Sequence, residues 1–393
     1  MNIAGIVCEF NPLHKGHAEH MRETRRLLGP DTALVCVMSG DFVQRGTPAV
    51  FDKHLRAKAA VLCGADLVLE LPLPWCVASA ERFALGAVSL LDRLGIVTHL
   101  SFGSECGDLA ALSALALAAS EEETTERIIA EMKYGLAYAP ARQKVLEQRL
   151  GTDIGSLLEK PNNILGVEYI KALLCLNSDI RPMTTRRGET VHDGKSVGEY
   201  RSASEIRSML EAGEDATPYL PAEAVAVFSD GRPVYWENLE QAYMARLRRL
   251  SPEDFELLPD AAEGLGRRVY EAVRQEPSVE AILSAVKTKR YALSRLRRIL
   301  TCAVLDIRAE MLTESPPYAR VLALNETGRI LLRSAESSRI PVVTKPASVR
   351  ALGEREQNIF KLNAEARDFY VLGCDRRTDR GGGSDWRTGP FVL

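Results

Sequence analysis

The sequence predicts an α/β fold, a Rossmann-like doubly wound parallel sheet followed by a mainly helical C-terminal domain. Short apolar runs alternate with amphipathic segments over the first hundred residues, a pattern typical of parallel strands with helices on both faces. After residue 221 the apolar residues recur at the spacing typical of helices. Residues 212–221 lie between these regions and contain Gly, Asp and Pro, so we expect one domain over 1–215 and a second over 216–393.

The strands and helices of the first domain are predicted, in chain order, from the spacing of apolar residues and from the residues that interrupt each run. Four strands are predicted by apolar runs, at residues 2–8, 32–38, 66–71 and 97–102. Three helices are predicted between them by amphipathic segments, at residues 16–28, 51–63 and 78–94. Right-handed crossovers of such strand–helix–strand units make the sheet doubly wound.

The rest of the chain is predicted to be mostly helical. Ahead of the domain boundary we expect one further strand at 181–186 and helices at 108–149, 164–176 and 205–211. Ser202 suits the N-cap of the last of these helices. Beyond the boundary we expect four helices, at residues 236–249, 261–275, 279–285 and 294–310. Strand structure resumes near the C-terminus, at 319–324 and 342–343.

Composition limits the classes of function. Of the 393 residues, 46% are hydrophobic and 26% are charged, which argues against wholesale disorder and a coiled-coil rod. No apolar run reaches the roughly 18 residues of a membrane span, and the N-terminus lacks a signal-peptide pattern. The eight Cys residues include no Cys-x-x-Cys pair, which argues against a zinc knuckle, a redox pair or a disulfide framework. We expect a soluble cytoplasmic enzyme, whose net charge of −3 confines any nucleic-acid surface to local patches.

The most informative motif is His14-Lys15-Gly16-His17, between the first predicted strand and the first helix. Ligands of open α/β sheets bind outside the carboxyl ends of the strands, where this turn lies. Two imidazoles at a helix N-terminus can converge on an anion beside backbone N–H donors, and Gly16 leaves room for it. The pattern suits attack on an α-phosphate, with His14 and His17 stabilising the growing charge. The alternative is a pair of surface histidines on an ordinary helix.

His14-x-Gly16-His17 after an N-terminal strand resembles the (H/T)xGH signature of the nucleotidyltransferase superfamily. Further segments narrow the resemblance, at residues 5–20, 39–46, 102–105, 160–169 and 287–291. With them, the chain is similar to the bacterial tRNA(Met) cytidine acetate ligase family from Met1 to about residue 300.

The resemblance implies an ATP-dependent ligase with a nucleotidyltransferase-type fold. Such a ligase activates acetate as acetyl-adenylate and acetylates N4 of the wobble cytidine of elongator tRNA(Met), giving N4-acetylcytidine, AMP and pyrophosphate. By position, the residues implied to bind ATP are Val7, Cys8, Glu9, Phe10, Asn11, Pro12, Leu13, His14, Lys15, Gly16, His17, Ala18, Glu19, His20, Gly103, Asn162, Asn163 and Arg187. Mg²⁺ could accompany ATP as a phosphate counter-ion, although no carboxylate cluster in the sequence requires a metal.

The implied positions outside the histidine loop have a physical rationale. Gly103 ends the fourth predicted strand, where a side chain would collide with a nucleotide lying across the sheet edge. Asn162 and Asn163 offer donors and acceptors for an adenine edge or ribose hydroxyls, although one of them could instead cap a helix. Arg187 follows a predicted strand at the same rim and could neutralise phosphates, the alternative being a solvated strand end.

A second superfamily element, usually (I/M)SSTxxR, is partly matched by residues 200–207. The hydroxyls of Ser202 and Ser204 and the guanidinium of Arg207 would hold the β- and γ-phosphates at this helix start. Ala203 and Ser204 depart from the pattern, and the alternative is that Ser202 only caps the helix.

A run of cations without acids lies between residues 287 and 298. We interpret it as a tRNA-binding strip on a helical surface, with Tyr291 available to stack on an unpaired base. The predicted tRNA contacts are Lys287, Lys289, Arg290, Arg295 and Arg298. The alternative is an ordinary solvated helix face.

Three functions remain open on the sequence. The first is the tRNA acetate ligase, in which acetate is already a nucleophile at neutral pH and no activated Ser or Cys is needed. The second is a small-molecule adenylyltransferase, which would not need a basic helical appendage. The third is a non-catalytic RNA-binding protein with a vestigial nucleotide site, which would be expected to have lost a histidine. The oligomeric state stays open.

Overall fold

The structure describes residues 1–187, 200–262, 264–335 and 338–393. Eight strands within these residues form one sheet. In this computed structural model the strands are β1 (Ile3–Cys8), β2 (Ala33–Ser39), β3 (Leu67–Leu71), β4 (His99–Ser104), β5 (Arg181–Arg186), β6 (Ala319–Leu324), β7 (Val342–Val343) and β8 (Phe391–Val392). Their order is β5-β4-β1-β2-β3-β6-β7, and β8 pairs with β6. Within those residues no helix is long and apolar enough to cross a membrane.

The first five strands are parallel and form the predicted doubly wound core. The chain proceeds from β1 outward to β2 and β3, then returns to the other side of β1 with β4 and β5. This reversal makes a topological switch point between β1 and β4. Loops that follow the carboxyl ends of these two strands border a crevice, which is where α/β sheets of this kind bind ligands.

The sheet is apolar on both faces because helices cover both. In β2, Val35 and Val37 enter one core cluster, whereas Leu34 and Cys36 enter the other. The helices of this half are α1 (Lys15–Leu28), α2 (Lys53–Leu62), α3 (Ala80–Leu94), α4 (Leu109–Ser120), α5 (Glu122–Lys133), α6 (Tyr138–Leu150), α7 (Thr152–Gly155), α8 (Pro161–Cys175) and α9 (Ala203–Glu211). Helices α3, α4 and α8 cover one face, and α1, α2 and α9 cover the other.

The region after α9 is helical, as predicted. Its helices are α10 (Ala222–Phe228), α11 (Glu240–Leu247), α12 (Pro252–Glu256), α13 (Leu265–Gln275), α14 (Val279–Val286) and α15 (Leu293–Val304). The helix expected over 294–310 ends earlier, at Val304. Helix α15 packs on the first half of the chain, since Thr301 Oγ1 donates to the carbonyl of Gly46 at 2.7 Å.

The C-terminal residues complete the sheet, with α16 (Glu326–Ser334) and α17 (Glu354–Tyr370) beside it. Strand β6 pairs antiparallel with β3, and β7 and β8 run parallel to β6. The sheet is therefore mixed, whereas the sequence predicted a parallel one, because β6 arrives from a distant segment rather than through a strand–helix–strand crossover. The division at residues 215 and 216 stays a prediction, and the sheet receives strands from both sides of it.

A buried group of charged side chains beside β3 and β6 connects the N-terminal part of the chain with the C-terminal part. Lys53 Nζ lies 2.8 Å from Glu70 Oε1 and 2.7 Å from Asp385 Oδ2. Arg320 Nη1 donates to Asp385 at 2.6 Å and to Glu70 at 3.3 Å. These four side chains are at most 2% exposed. Each cation faces two carboxylates, which offsets part of the cost of removing the charges from water.

Candidate active site

The loop between β1 and α1 is held by side chains and backbone of neighbouring loops. Asn11 Oδ1 accepts a hydrogen bond from Val50 N at 2.8 Å. Glu9 Oε1 accepts one from Gln44 N, also at 2.8 Å. The loops after β1 and β2 are thereby joined, which places residues 44–46 beside the histidine motif.

Arg56 on α2 strengthens the same junction and is not among the site residues predicted from the sequence. Its guanidinium is fully buried and donates to the carbonyls of Glu9 at 2.6 Å, Ser39 at 3.2 Å and Gly40. A basic residue beside the alanines of α2 (Ala57, Ala59 and Ala60) was the signal that could have found it. Because Arg56 satisfies carbonyls from two loops at once, it keeps the rim of β1 and β2 rigid.

His14 and His17 form a stacked pair at the N-terminus of α1. His14 caps the helix: its Nδ1 accepts from Gly16 N at 3.1 Å, and His17 Nδ1 accepts from His14 N at 3.3 Å. The two ring centroids lie 3.8 Å apart. A neutral imidazole has one acceptor and one donor nitrogen, so both rings are inferred to carry their proton on Nε2. Both Nε2–H groups therefore remain available as donors at the positive end of α1.

The Nε2 atom of His14 marks the place where a ligand can bind. The residue is only 3% exposed, yet this buried atom has no hydrogen-bond partner within the described residues. A buried donor left unpaired costs about 1–3 kcal/mol. An oxyanion of a nucleotide phosphate fits this position, because it would pair with the buried donor and with the helix N-terminus.

The histidines are neutral, and nearby arginines supply the positive charge. Burial, followed by the charges of Arg187 and Arg207, lowers the pKa of His14 to about 3. Burial, with His14 and Arg187 next in size, holds the pKa of His17 well below its usual value. Burial also lowers the pKa of His20 to about 4. The imidazoles therefore act as uncharged donors at neutral pH.

We expect the ring signals of His14, His17 and His20 to remain those of neutral imidazole between pH 8 and about pH 5 in NMR spectra. In the urea-unfolded chain the same residues should titrate near pH 6.5. Since the unfolded state then binds protons that the folded state does not, the free energy of unfolding should fall as pH drops below about 6.5. Titration of His14 in the folded protein near pH 6.5 would contradict the buried, neutral pair.

Gly103 and Arg187 meet beside the histidine pair. A Cβ atom on Gly103 would lie 2.9 Å from Cγ of Arg187, so glycine leaves room for the arginine side chain. The expectation from the sequence is that the bulk of the nucleotide itself requires glycine here. The structure shows a protein contact instead, and Gly103 serves the site by allowing Arg187 to lie across the end of β4.

Asn162 and Asn163 begin α8 and have different roles. Asn162 Oδ1 accepts from Arg187 Nη1 at 2.9 Å. Asn163 is 1% exposed, and its Oδ1 accepts from the backbone N–H groups of Glu105 and Cys106 at 3.0 and 3.1 Å. Asn162 is thus placed to orient Arg187, whereas Asn163 braces the loop after β4.

Glu105 is a third member of this corner that the sequence analysis did not select as a site residue. Its carboxylate accepts from Asn163 N at 2.8 Å, Asn162 N at 3.2 Å and Asn162 Nδ2 at 2.7 Å. It therefore caps α8 from outside the helix, so neither asparagine is the N-cap. An acid after the fourth strand was the available signal.

Other residues predicted to bind ATP engage different parts of the protein. Cys8 Sγ lies 3.6 Å from the carbonyl of Val37 in the sheet. Glu19 is ion-paired with Arg22. His20 Nδ1 lies 2.8 Å from Thr185 Oγ1 on β5. Among the predicted ATP-binding side chains, the structure brings together those of His14, His17, Asn162 and Arg187, and the ring of Phe10 packs edge-on against His17.

Helix α9 brings the second predicted motif to the histidine loop. Arg207 Nη1 donates to the carbonyl of Asn11 at 2.8 Å, and its Nη2 donates to Ser204 Oγ at 2.9 Å. Ser202 caps the helix in a reciprocal box with Glu205, which is the simpler role foreseen for it. Arg207 is the member of this motif that reaches the site.

Solved structures share this whole architecture. The crystal structure of Thermotoga maritima TmcAL bound with alpha-thio ATP is 32% identical in sequence and superposes with a TM-score of 0.93 over 100% of both chains. The apo structure of the same protein gives the same values.

Sequence comparisons agree over the full length. The HIGH Nucleotidyl Transferase family model matches residues 1–384. A tRNA(Met) cytidine acetate ligase from Alkaliphilus metalliredigens is 34% identical, covering 100% of this chain and 99% of the relative. The ligase of that name from Thermosipho africanus is 33% identical, covering 100% of both.

The chain belongs to the tRNA(Met) cytidine acetate ligase family. The similarity inferred from the histidine motif and its companion segments is thereby confirmed, and it extends through the last ninety residues, where the motifs were weakest.

In this family member the predicted tRNA strip is divided between a loop and a helix. Lys287 follows α14, Lys289 and Arg290 lie in the next turn, and α15 begins at Leu293. The strip is therefore not one helix face, as helical spacing had suggested. Lys287, Lys289 and Arg290 are exposed, and their contact with tRNA stays a prediction.

The two later arginines of the strip are bonded to Asp260. Arg295 donates to the carbonyl of Asp260 at 2.9 and 2.7 Å. Arg298 is buried and donates to the Asp260 carboxylate at 2.9 and 2.7 Å. Asp260 thus accepts from Arg295 through its carbonyl and from Arg298 through its carboxylate, which holds α15 against the loop before α13. The predicted contact of these two arginines with tRNA stays a prediction.

The described parts of the chain contain no group of three or more His, Cys, Asp and Glu side chains arranged to hold a metal ion.

Proposed function

We propose that this chain is an ATP-dependent ligase that activates acetate as acetyl-adenylate and acetylates N4 of the wobble cytidine of elongator tRNA(Met). The observation that carries the proposal is the stacked, neutral pair of His14 and His17, with His14 Nε2 buried and unpaired among the described residues. Family members of nearly the same length bear this ligase name, and a solved structure with the same fold holds an ATP analogue.

The first step is displacement at the α-phosphorus of ATP. An acetate oxygen forms a bond to phosphorus, the bond to the β-phosphate oxygen breaks, and pyrophosphate leaves. Negative charge grows on the non-bridging oxygens, where the Nε2–H groups of His14 and His17 donate. Such preorganised donors stabilise the transition state because they need no reorganisation as the charge develops. Neither histidine has to transfer a proton, which agrees with their lowered pKa values.

The second step transfers the acetyl group to RNA. The exocyclic amine of cytidine forms a bond to the acetyl carbon, the bond from that carbon to the AMP oxygen breaks, and one amine proton leaves to water. A wobble base can reach the site because bases of a single-stranded anticodon loop can be turned outward.

We assign the parts of the chain within this proposal as follows. Residues 1–215 carry the nucleotide site, in which Arg187 and Arg207 face the phosphates, Asn162 orients Arg187, and Asn163 and Gly103 shape the rim. Residues 216–393 contribute the surface for tRNA. Acetate and elongator tRNA(Met) are the partners, and a cytoplasmic location follows from them.

Wild-type protein incubated with ATP, acetate and an elongator tRNA(Met) transcript should produce N4-acetylcytidine at the wobble position, with one AMP and one pyrophosphate per product. Mass spectrometry of digested tRNA detects the nucleoside. A transcript with uridine at the wobble position is the matched control, because uridine lacks the exocyclic amine and should remain unmodified.

Two results would contradict this function. Product formed from acetyl-CoA without ATP would exclude adenylation of acetate. Acetate-dependent pyrophosphate release without any acetylated tRNA would favour a small-molecule adenylyltransferase.

A further inference from the structure

Three arginines from distant segments converge at the histidine loop. Arg45 lies in the loop after β2, where its neighbour Gln44 donates to Glu9. Arg207 reaches the loop from α9 through the carbonyl of Asn11. Arg297 lies on α15, which packs against Gly46: a Cβ atom there would lie 2.7 Å from the carbonyl carbon of Arg297. Two contacts of residues 44 and 46 therefore place Arg45 between the nucleotide site and α15.

The charges of these groups act on one another. Burial lowers the pKa of Arg207 most, Glu9 opposes this change, and the positive charges of Arg45 and Arg297 add to the lowering. Glu9 is the acid whose charge opposes this lowering, and one of its oxygens already accepts from Gln44. A concentration of three guanidinium groups around one carboxylate attracts an anion.

Two of the three arginines are available to a ligand. Arg45 is exposed and Arg297 is partly exposed. Across residues 1–187, 200–262, 264–335 and 338–393 neither side chain has a hydrogen-bond or ion-pair partner. Arg207, in contrast, is bonded to Asn11 and Ser204. On α15 the neighbours Arg295 and Arg298 are bonded to Asp260, so Arg297 is the arginine of that helix left for recognition.

We propose that Arg45 and Arg297 together bind a backbone phosphate of the tRNA strand beside the target cytidine. This inference rests on the proposed function. Arg187 and Arg207 are the arginines that act on His14, and the proposed function assigns them to the ATP phosphates. Arg45 and Arg297 lie where the loop after β2 meets α15. A cytidine whose amine reaches the acetyl group at the histidines carries its own phosphates within one nucleotide's length, and both arginines are near enough to Arg207 at this loop for their charges to act on it.

The test measures tRNA affinity directly, without ATP or acetate. Equilibrium binding of elongator tRNA(Met) is recorded at several salt concentrations for Arg45→Ala, Arg297→Ala and the double variant. Each single change should weaken binding about tenfold, as expected for removal of a hydrogen bond to a charged group. The slope of log affinity against log salt should become shallower by about 0.7 for each phosphate that the protein no longer neutralises.

Two sets of variants serve as controls. Arg26→Ala removes one exposed guanidinium near the far end of α1, about 18 Å along the helix from His14. It should leave tRNA affinity and the salt slope at wild-type values. Arg45→Lys and Arg297→Lys keep the charge and should retain most of the affinity, which separates impaired phosphate binding from a disturbed fold.

Unchanged tRNA affinity and salt slope in the double alanine variant would overturn the inference. A decrease confined to ATP affinity, measured without tRNA, would assign the arginines to the triphosphate and would also overturn it. Because binding is recorded without turnover, this result is independent of whether the wild-type protein forms N4-acetylcytidine, which decides the proposed function.

Discussion

Replacing His14 or His17 by alanine should lower AMP-forming turnover by about 10²–10³-fold, while tRNA affinity stays near that of the wild type. Each imidazole is placed to donate through Nε2 to the oxygens of the α-phosphate, and removal of one such donor typically has an effect of this size. Pyrophosphate release with ATP, acetate and tRNA measures turnover. Binding of labelled tRNA without ATP measures the affinity.

The His14 variant needs a second substitution, because His14 also caps α1. Removal of a cap costs about 0.5–2 kcal/mol of stability. Asparagine is a favoured N-cap residue, so His14→Asn should restore the cap without restoring the Nε2–H donor. We expect it to be as inactive as His14→Ala. Recovery of turnover in His14→Asn would reduce the role of His14 to helix capping.

His99→Ala is the matched control for removal of an imidazole. His99 is the first residue of β4, at the amino end of the strand, whereas the histidine pair follows the carboxyl end of β1, and the Nδ1 of His99 contacts only the neighbouring Thr98 hydroxyl among the described residues. Its replacement should leave turnover at the wild-type level. Equal decreases in His99→Ala and His17→Ala would indicate a general disturbance of the protein rather than weaker transition-state stabilisation.

Asp385→Asn should lower the free energy of unfolding by about 3–5 kcal/mol, the usual cost of removing one partner from a buried charge group. Asp385 is fully buried and bonded to Lys53 and Arg320. The variant leaves both cations short of one negative charge in a site that water does not reach. Urea unfolding followed by circular dichroism measures the change. Asp375→Asn, at an exposed position of the same C-terminal region, should have little effect.

The difference between the wild type and Asp385→Asn should also depend on pH. Burial alone would raise the pKa of Asp385, but the charge of Lys53, the hydrogen bond from His54 and the charge of Arg320 hold it well below the usual value. Stability from such a group is present above the unfolded pKa of about 3.9 and is lost as pH falls toward the folded pKa. The difference in stability between the two proteins should therefore begin to narrow below about pH 4 and shrink further as the pH falls. A constant difference down to pH 2 would contradict this account.

Local patterns in the sequence predicted much of the fold and the centre of the site. The strand bounds 181–186, 319–324 and 342–343 are those observed, and the run that forms β6 is apolar except for Arg320. The histidine loop was also identified locally, since a strand, a turn and a helix start are contiguous in the chain. The position of that loop at the switch point followed from the order of strands and helices.

The sequence by itself thus determined the half of the sheet that carries the site, the histidine pair and the family, all of which depend on short-range pattern and motif. Only the tertiary structure decided which charged side chains have a partner within the protein. Asp260 takes up Arg295 and Arg298, Arg297 meets the loop of Arg45, and Asp385 joins Lys53 across 332 residues of chain. The physical reason is that an ion pair forms wherever folding brings opposite charges together. Neither the period nor the spacing of a segment records a partner contributed by a distant one.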